Sequence, residues 1–137
     1  MSTLLLDASV ILAAFDSDDE LHEPSQKLLT DPEVTLATLD LARYEVANVA
    51  VRAWREPEHV APLLEAIDRI SADGGVIPST TALLGRAAQV ADEHTISVYD
   101  AAYVAAADQA GGALVSCDAR DLVGKGLASS PGEVRGN

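Results

Sequence analysis

Four carboxylates in this chain occupy positions that solvation alone explains poorly, and together they have the makings of a site for a hard cation: Asp7, Glu45, Asp100 and Asp118. Asp7 ends the apolar run TLLLD and precedes ASVILAAF, which puts it at the carboxyl end of a buried strand, where open α/β sheets place their ligands. The same position can cap the following helix, and the two roles are compatible. Asp118 repeats the arrangement, closing GALVSCD before ARDLVGKG; if the two strands are neighbours, the carboxylates converge. Asp121 stands one turn further on and reads as exposed or ancillary. Asp100 interrupts ISVYDAAYVAAADQ on the helix face of Tyr103, Val104 and Ala107, so it points where the apolar side chains point. Its local alternative is a capping box with Ser97. Glu45 shares a helix face with Leu41, Asn48, Val49 and Arg52, where a solvated or arginine-paired glutamate is the ordinary reading.

Carboxylates held about 4 Å apart repel by roughly 4 kcal/mol per pair at an effective dielectric near 20, which is much of the stability of a small domain. A divalent cation removes that penalty. Oxygen donors without His or Cys at ligand spacing favour Mg²⁺, with Mn²⁺ as the alternative, over zinc. His22, His59 and His94 form no ligand motif and read as surface residues.

The elements that must position these acids are short aliphatic runs alternating with helical periodicity. TLLLD (3–7), VTLAT (34–38), GVIP (75–78) and GALVSCD (112–118) lack the polar alternation of a sheet with one wet face, so they read as buried parallel strands. Helical spacing runs over 40–55, 57–70, 79–94 and 97–110, with Pro57 and Pro78 at the breaks and Gly111–Gly112 as a stop. Strands alternating with helices imply right-handed crossovers and a three-layer α/β/α domain around a mainly parallel sheet of four or five strands. The chain has 137 residues, 48% hydrophobic and 4% aromatic, enough for one core of small aliphatic side chains. That core is expected within 1–125. Residues 126–137, rich in Gly and Ser, are expected to form a loosely ordered tail.

Charge and cysteine usage narrow the function. Twenty-two acids against nine bases give −13, a field that repels polyanions from most of the surface and argues against a general nucleic-acid coat. It still permits an enzyme that meets a polyanion through a bound cation and local arginines, because close contacts outrank a screened distant field. The acidic balance also suits a basic protein partner. The lone Cys117 has no disulfide partner, which fits a reducing cytoplasm. No run approaches the length of a membrane span, and no basic segment precedes Asp7.

With TLLLDASVILAAF, LARYEVANVAVRA and ISVYDAAYVAAADQAGGALVSCD in this order, the chain resembles a PIN-domain ribonuclease, specifically the VapC-type toxin of prokaryotic toxin–antitoxin pairs, over residues 3–122. The resemblance implies one acidic pocket of Asp7, Glu45, Asp100 and Asp118, with Ser9 assisting near the metal and Asp7 and Asp118 on adjacent central strands. Asp7, Asp100 and Asp118 would be the metal ligands, and Glu45 would orient a second ion or the attacking water. It further implies Mg²⁺-dependent cleavage of RNA leaving a 3′-hydroxyl and a 5′-phosphate. A small antitoxin would bind as partner and insert a segment toward the pocket, an arginine being the natural plug. A homodimer is also implied, and the small residues of AAYVAAADQA permit close helix packing. Arg43, Arg52, Arg55, Arg120 and Lys125 are the candidates to hold the RNA backbone. The sequence departs from the family after Asp121, where a last short strand is common and none is apparent. Two alternatives stay open: a non-catalytic PIN-like scaffold, and a Mg²⁺-dependent phosphatase of the haloacid-dehalogenase kind. The latter needs a second Asp where position 9 is serine.

Overall fold

A computed structural model describes residues 3–134. Four strands, β1 (Thr3–Leu6), β2 (Thr35–Leu39), β3 (Val76–Ile77) and β4 (Ala113–Val115), form one sheet in the order β3-β2-β1-β4. Every pairing is parallel, with Thr3 opposite Thr35, Leu4 opposite Ala113 and Thr38 opposite Val76. This is the expected three-layer α/β/α fold with a parallel sheet, here of four strands.

From β1 the chain steps outward twice, through α1 (Ala8–Phe15) and α2 (His22–Thr30) to β2, then through α3 (Leu41–Asn48) and α4 (Val60–Ala72) to β3. It then returns through α5 (Thr81–His94) and α6 (Val98–Ala110) to place β4 on the other side of β1. Right-handed crossovers in opposite directions put α1–α4 on one face and α5–α6 on the other. The order reverses between β1 and β4, so the crevice for a ligand opens at the carboxyl ends of those two strands. Asp7 and Asp118 follow them.

The core is aliphatic, as the composition required. Leu5, Leu6, Val10, Ile11, Leu39, Val46, Leu63, Ile67 and Val115 are fully buried. In α6, Ala101, Ala102, Ala105, Ala106 and Ala107 are buried in the chain's own core, against α5 and the sheet. The small residues expected to allow packing between subunits are therefore spent on packing within one.

Several elements differ from the sequence reading. Helix α1 carries no polar face that would reveal a helical period, and α2 begins HEPSQ, with Pro24 in the first turn, where a missing N–H costs nothing. Neither was expected as a separate helix. The helix expected over 40–55 is α-helical to Asn48 and then widens into a π turn (Val49–Ala53). His22 is half-buried, with Nδ1 2.8 Å from the Ala13 carbonyl, and His59 stacks edge-on against Trp54 with ring centroids 5.8 Å apart. Only His94 is the exposed residue expected of all three.

The tail is also tied down further than its composition suggests. The Ser129 N–H donates to the Leu114 carbonyl, the Ser116 N–H donates to that of Ser129, and Val115 bridges Ser129 in parallel. A helix α7 (Pro131–Val134) then packs on α2, with Pro131 buried. These backbone bonds satisfy the outer edge of β4, which would otherwise be open. Gly126 makes a turn at φ 75°, and Gly124 lies against the Ala119 carbonyl, so these glycines serve the turn that leads the chain back to β4. The remainder of that tail, 135–137, lies outside the described residues.

Entry into β4 depends on Gly112, because a Cβ there would stand 2.1 Å from the Thr3 carbonyl oxygen. Gly112→Ala is expected to destabilise the fold by about 1–3 kcal/mol through displacement of β4 from β1. Urea unfolding checks this, and an unchanged midpoint would show that the strand accommodates a side chain.

Candidate active site

Asp7 is an N-cap with an unusual burden. It is only 5% exposed, and its Oδ1 accepts from the Ser9 N–H at 3.0 Å, the Ser9 hydroxyl at 2.5 Å and, more distantly, the Val10 N–H at 3.4 Å. Its own N–H donates to the Val115 carbonyl, which fixes it against β4. Capping and burial oppose one another electrostatically. Desolvation dominates and pushes the Asp7 carboxyl up to about 6 despite its hydrogen bonds, with a further upward push from Glu45.

Ser9 links the two strand ends. Its hydroxyl donates to Asp7 and accepts the Cys117 N–H at 2.8 Å, while the Ser116 hydroxyl, fully buried, accepts the Asp118 N–H at 3.0 Å. The Cys117 thiol between them is half-buried, and burial pushes it up to about 11, which keeps it protonated and inert. Asp118 caps in turn the π turn Ala119–Val123, accepting from the N–H groups of Arg120 and Asp121. Across the crevice, Ser97 caps α6 by accepting the Asp100 N–H at 3.0 Å. The N-cap and the converging acid thus lie on one turn: Ser97 holds the Asp100 backbone and meets its carboxylate, which also faces Asp118 and Asp121.

Carboxylate oxygens of Asp100, Asp118 and Asp121 all lie within 4.8 Å of one another. Asp121, expected as exposed or ancillary, is therefore part of the tightest acidic set. The π turn brings it back beside Asp118, a local geometry that helical or strand periodicity does not show. Asp7 and Glu45 stand outside this set but are coupled to it. Burial raises Glu45, with a contribution from Asp100, and burial raises Asp100, with contributions from Asp118 and Asp121. The five acids form a chain of mutual repulsion from Asp7 through Glu45 and Asp100 to Asp118 and Asp121. Among the described residues the only cation paired with it is Arg120, whose Nε is 3.3 Å from Asp121 and whose side chain is 90% exposed. Such a pair is worth little.

Two contributors went unnoticed as site residues in the sequence. Tyr103 was recognised only as an apolar neighbour of Asp100; its hydroxyl donates to Glu45 Oε1. Ser116 was passed over inside an apolar run, although a serine before a strand-end acid is a usable signal for a turn that binds backbone N–H groups. The cations are dispersed. Arg43 pairs with Asp68 of α4 at 2.8 Å, and Lys125 Nζ donates to the carbonyls of His94 and Thr95, closing the end of α5. Arg52 and Arg55 are exposed on and just after the π turn that extends α3.

The donor set suits a hard divalent ion: three carboxylates at ligand reach, two more coupled to them, and no sulfur or imidazole among them. One other acidic set exists among the described residues, Glu56, Glu58 and His59, on an exposed 3-10 turn away from any strand end.

Comparison with known proteins agrees with this geometry. A family model described as PIN domain matches residues 4–123. Ribonuclease VapC3 of Pyrobaculum aerophilum is 34% identical over 119 residues, covering 84% of this chain and 88% of the relative. A solved structure of a Pyrobaculum aerophilum protein is similar with a TM-score of 0.67 at 26% identity, covering 97% of this chain and 86% of that one. A toxin–antitoxin complex from Klebsiella pneumoniae shares the fold, with a TM-score of 0.68 at 16% identity and coverage of 93% and 97%.

The acidic chain sets a pH dependence for the metal-free protein. The folded Asp7 carboxyl titrates near 6, above its ordinary 3.8, so the unfolded chain gives up its proton first and the folded state is penalised above pH 6. The penalty disappears as pH falls from about 6 to 4, and Glu45 and Asp100 act in the same direction. In EDTA the melting temperature is expected to rise between pH 7 and pH 5, and Asp7→Asn should flatten that rise. A wild-type melting temperature that falls over this interval would contradict the assignment.

Proposed function

This chain belongs to the PIN domain family, and on that premise we propose that it is a divalent-metal-dependent endoribonuclease, the toxin of a type II toxin–antitoxin pair acting in the cytoplasm. The observation that carries the reading is the set of carboxylates from Asp100, Asp118 and Asp121, within 4.8 Å of one another at the ends of α6 and β4. A repulsive cluster of this kind is compatible with a stable fold when a cation completes it. The 34% identity to a protein named as a ribonuclease supports the activity.

Asp100 and Asp118 would hold the ion, Asp121 would share in it, and Asp7 would take part from the buried side. Mg²⁺ fits the oxygen donors, and Mn²⁺ would substitute. When bound, the ion neutralises the clustered charge and supplies electrophilic assistance to phosphodiester hydrolysis. Glu45, held by Tyr103, orients the attacking water. Ser9 and Ser116 fix the two strand ends so that Asp7 and Asp118 keep their separation. Water as nucleophile leaves a 3′-hydroxyl and a 5′-phosphate. Of the cations, Arg120 lies beside the pocket and is exposed, while Arg52 and Arg55 extend from the helix of Glu45; these three are proposed to hold the RNA backbone. Arg43 and Lys125 already have partners within the chain.

A basic partner suits both the charge of −13 and the pocket. The exposed apolar side chains Val98 and Tyr99 immediately precede Asp100, and Tyr44 immediately precedes Glu45. An antitoxin segment lying on these residues with an arginine directed at the acids would block the site, and a second copy of the chain would cover exposed apolar surface of the same kind. No helix among the described residues is long and apolar enough to cross a membrane.

Purified protein is expected to cleave RNA in Mg²⁺, to lose that activity in EDTA and to regain it on adding Mg²⁺. Asp100→Asn and Asp118→Asn should each lower the rate by about 100-fold or more, since each removes a charge the ion requires. Asp121→Asn should also impair cleavage. Unchanged cleavage by Asp100→Asn, or activity that survives EDTA, would refute the reading.

A further inference from the structure

The helices that carry Glu45 and Asp100 lie in different layers, and their main packing partners differ. Helix α3 rests on α1, α4 and its own π extension, whereas α6 rests on α5, β1, β2 and β4. Packing in the common core places the two helices, and the Glu45 side chain then needs a contact of its own to reach across toward Asp100. Electrostatics would separate them, because Asp100 and Asp7 both face Glu45 with like charge. What reaches across the crevice to the Glu45 carboxylate is a hydrogen bond from the hydroxyl of Tyr103 to Oε1 at 2.5 Å, and the same hydroxyl meets the Ala8 backbone at the start of α1.

Tyr103 is well suited to this. It is 2% exposed and stands one turn along α6 from Asp100, and a phenol has few rotamers to lose. Near neutral pH the hydroxyl is a committed donor, since burial and the neighbouring carboxylates hold its proton far above the usual phenol range. It engages one oxygen of Glu45 and leaves Oε2 available.

We propose that Tyr103 is a positioning residue that draws the Glu45 carboxylate across the crevice and holds it beside Asp100 against their mutual repulsion. The proposal rests on the nuclease reading for its consequence in catalysis, but not for the contact itself. Without the hydroxyl, Glu45 turns toward solvent and the acidic pocket loses the member contributed by the α1–α4 layer. The hydroxyl acts through Glu45 and not on the substrate, so its loss affects turnover and leaves RNA binding in place.

Tyr103→Phe removes a single oxygen and keeps the ring; Tyr103→Met, which also fills the space, serves if the first variant does not fold. With the wild type active in Mg²⁺, kcat for RNA cleavage is expected to fall roughly 10- to 100-fold, the range of one hydrogen bond to a charged group, with KM unchanged. In metal-free protein, the crystal structure of the variant should show the Glu45 carboxylate turned away from Asp100 toward solvent. An unchanged kcat in an active enzyme overturns the proposal, and so does a lowered kcat with Glu45 still in its wild-type position. If the wild type cleaves no RNA with Mg²⁺, the nuclease reading fails. The structure of the variant still decides whether Tyr103 holds Glu45, a displaced carboxylate supporting it and an unmoved one overturning it.

Discussion

Like charges kept close by a fold that gains nothing from their proximity are the constraint on which this structure is organised. At an effective dielectric near 20, a pair of carboxylates about 5 Å apart repels by roughly 3 kcal/mol, and here three lie within 4.8 Å of one another with two more coupled to them. A domain of this size has about 5–15 kcal/mol of net stability, so the cluster must be held in place by interactions around it. The core supplies most of this. A sheet with both faces covered leaves its strand ends little freedom, and the reversal of strand order between β1 and β4 makes their carboxyl ends a crevice with backbone on both sides.

The remaining restraint comes from polar groups around the acids. Asp7, Asp118 and, through Ser97, Asp100 are each fixed by an N-cap, an interaction worth about 0.5–2 kcal/mol apiece. Capping orients a backbone and here uses one carboxylate oxygen of Asp7 and of Asp118, so it is compatible with the proposed ligand role. Ser9 and Ser116 bind the β1 and β4 ends to each other through Cys117 and Asp118. Glu45, in the other helical layer, is the member without such a cap, and a side chain from across the crevice takes that part. The protein alone thus holds these acids in place, which is the preorganisation that the proposed electrostatic catalysis requires.

Much of this was legible in the residues because burial leaves a pattern. Unbroken aliphatic runs ending in Asp announced parallel strands, and β1 and β4, which end in Asp7 and Asp118, are neighbours. Asp100 was conspicuous because it interrupts an alanine-rich face. What escaped was geometry without a period. The π turn that returns Asp121 to Asp118, the serines that bridge strand ends and the docking of Ser129 on Val115 depend on contacts distant in sequence or on backbone forms no spacing rule detects. Tyr103 was hidden by its own amphipathic character: its ring satisfied the apolar pattern, and its hydroxyl found a partner 58 residues away. Lys125, read in the sequence as a candidate to hold the RNA backbone, donates to the carbonyls at the end of α5, a contact that no spacing announced.

The proposed site is a place that folding builds for a small doubly charged ion among these oxygens. Anomalous diffraction from crystals soaked in Mn²⁺ locates such an ion directly. The expected result is a peak bonded to oxygens of Asp100 and Asp118 at the mouth of the β1–β4 crevice. A peak only at Glu56, Glu58 and His59, or none at saturating Mn²⁺, would contradict it.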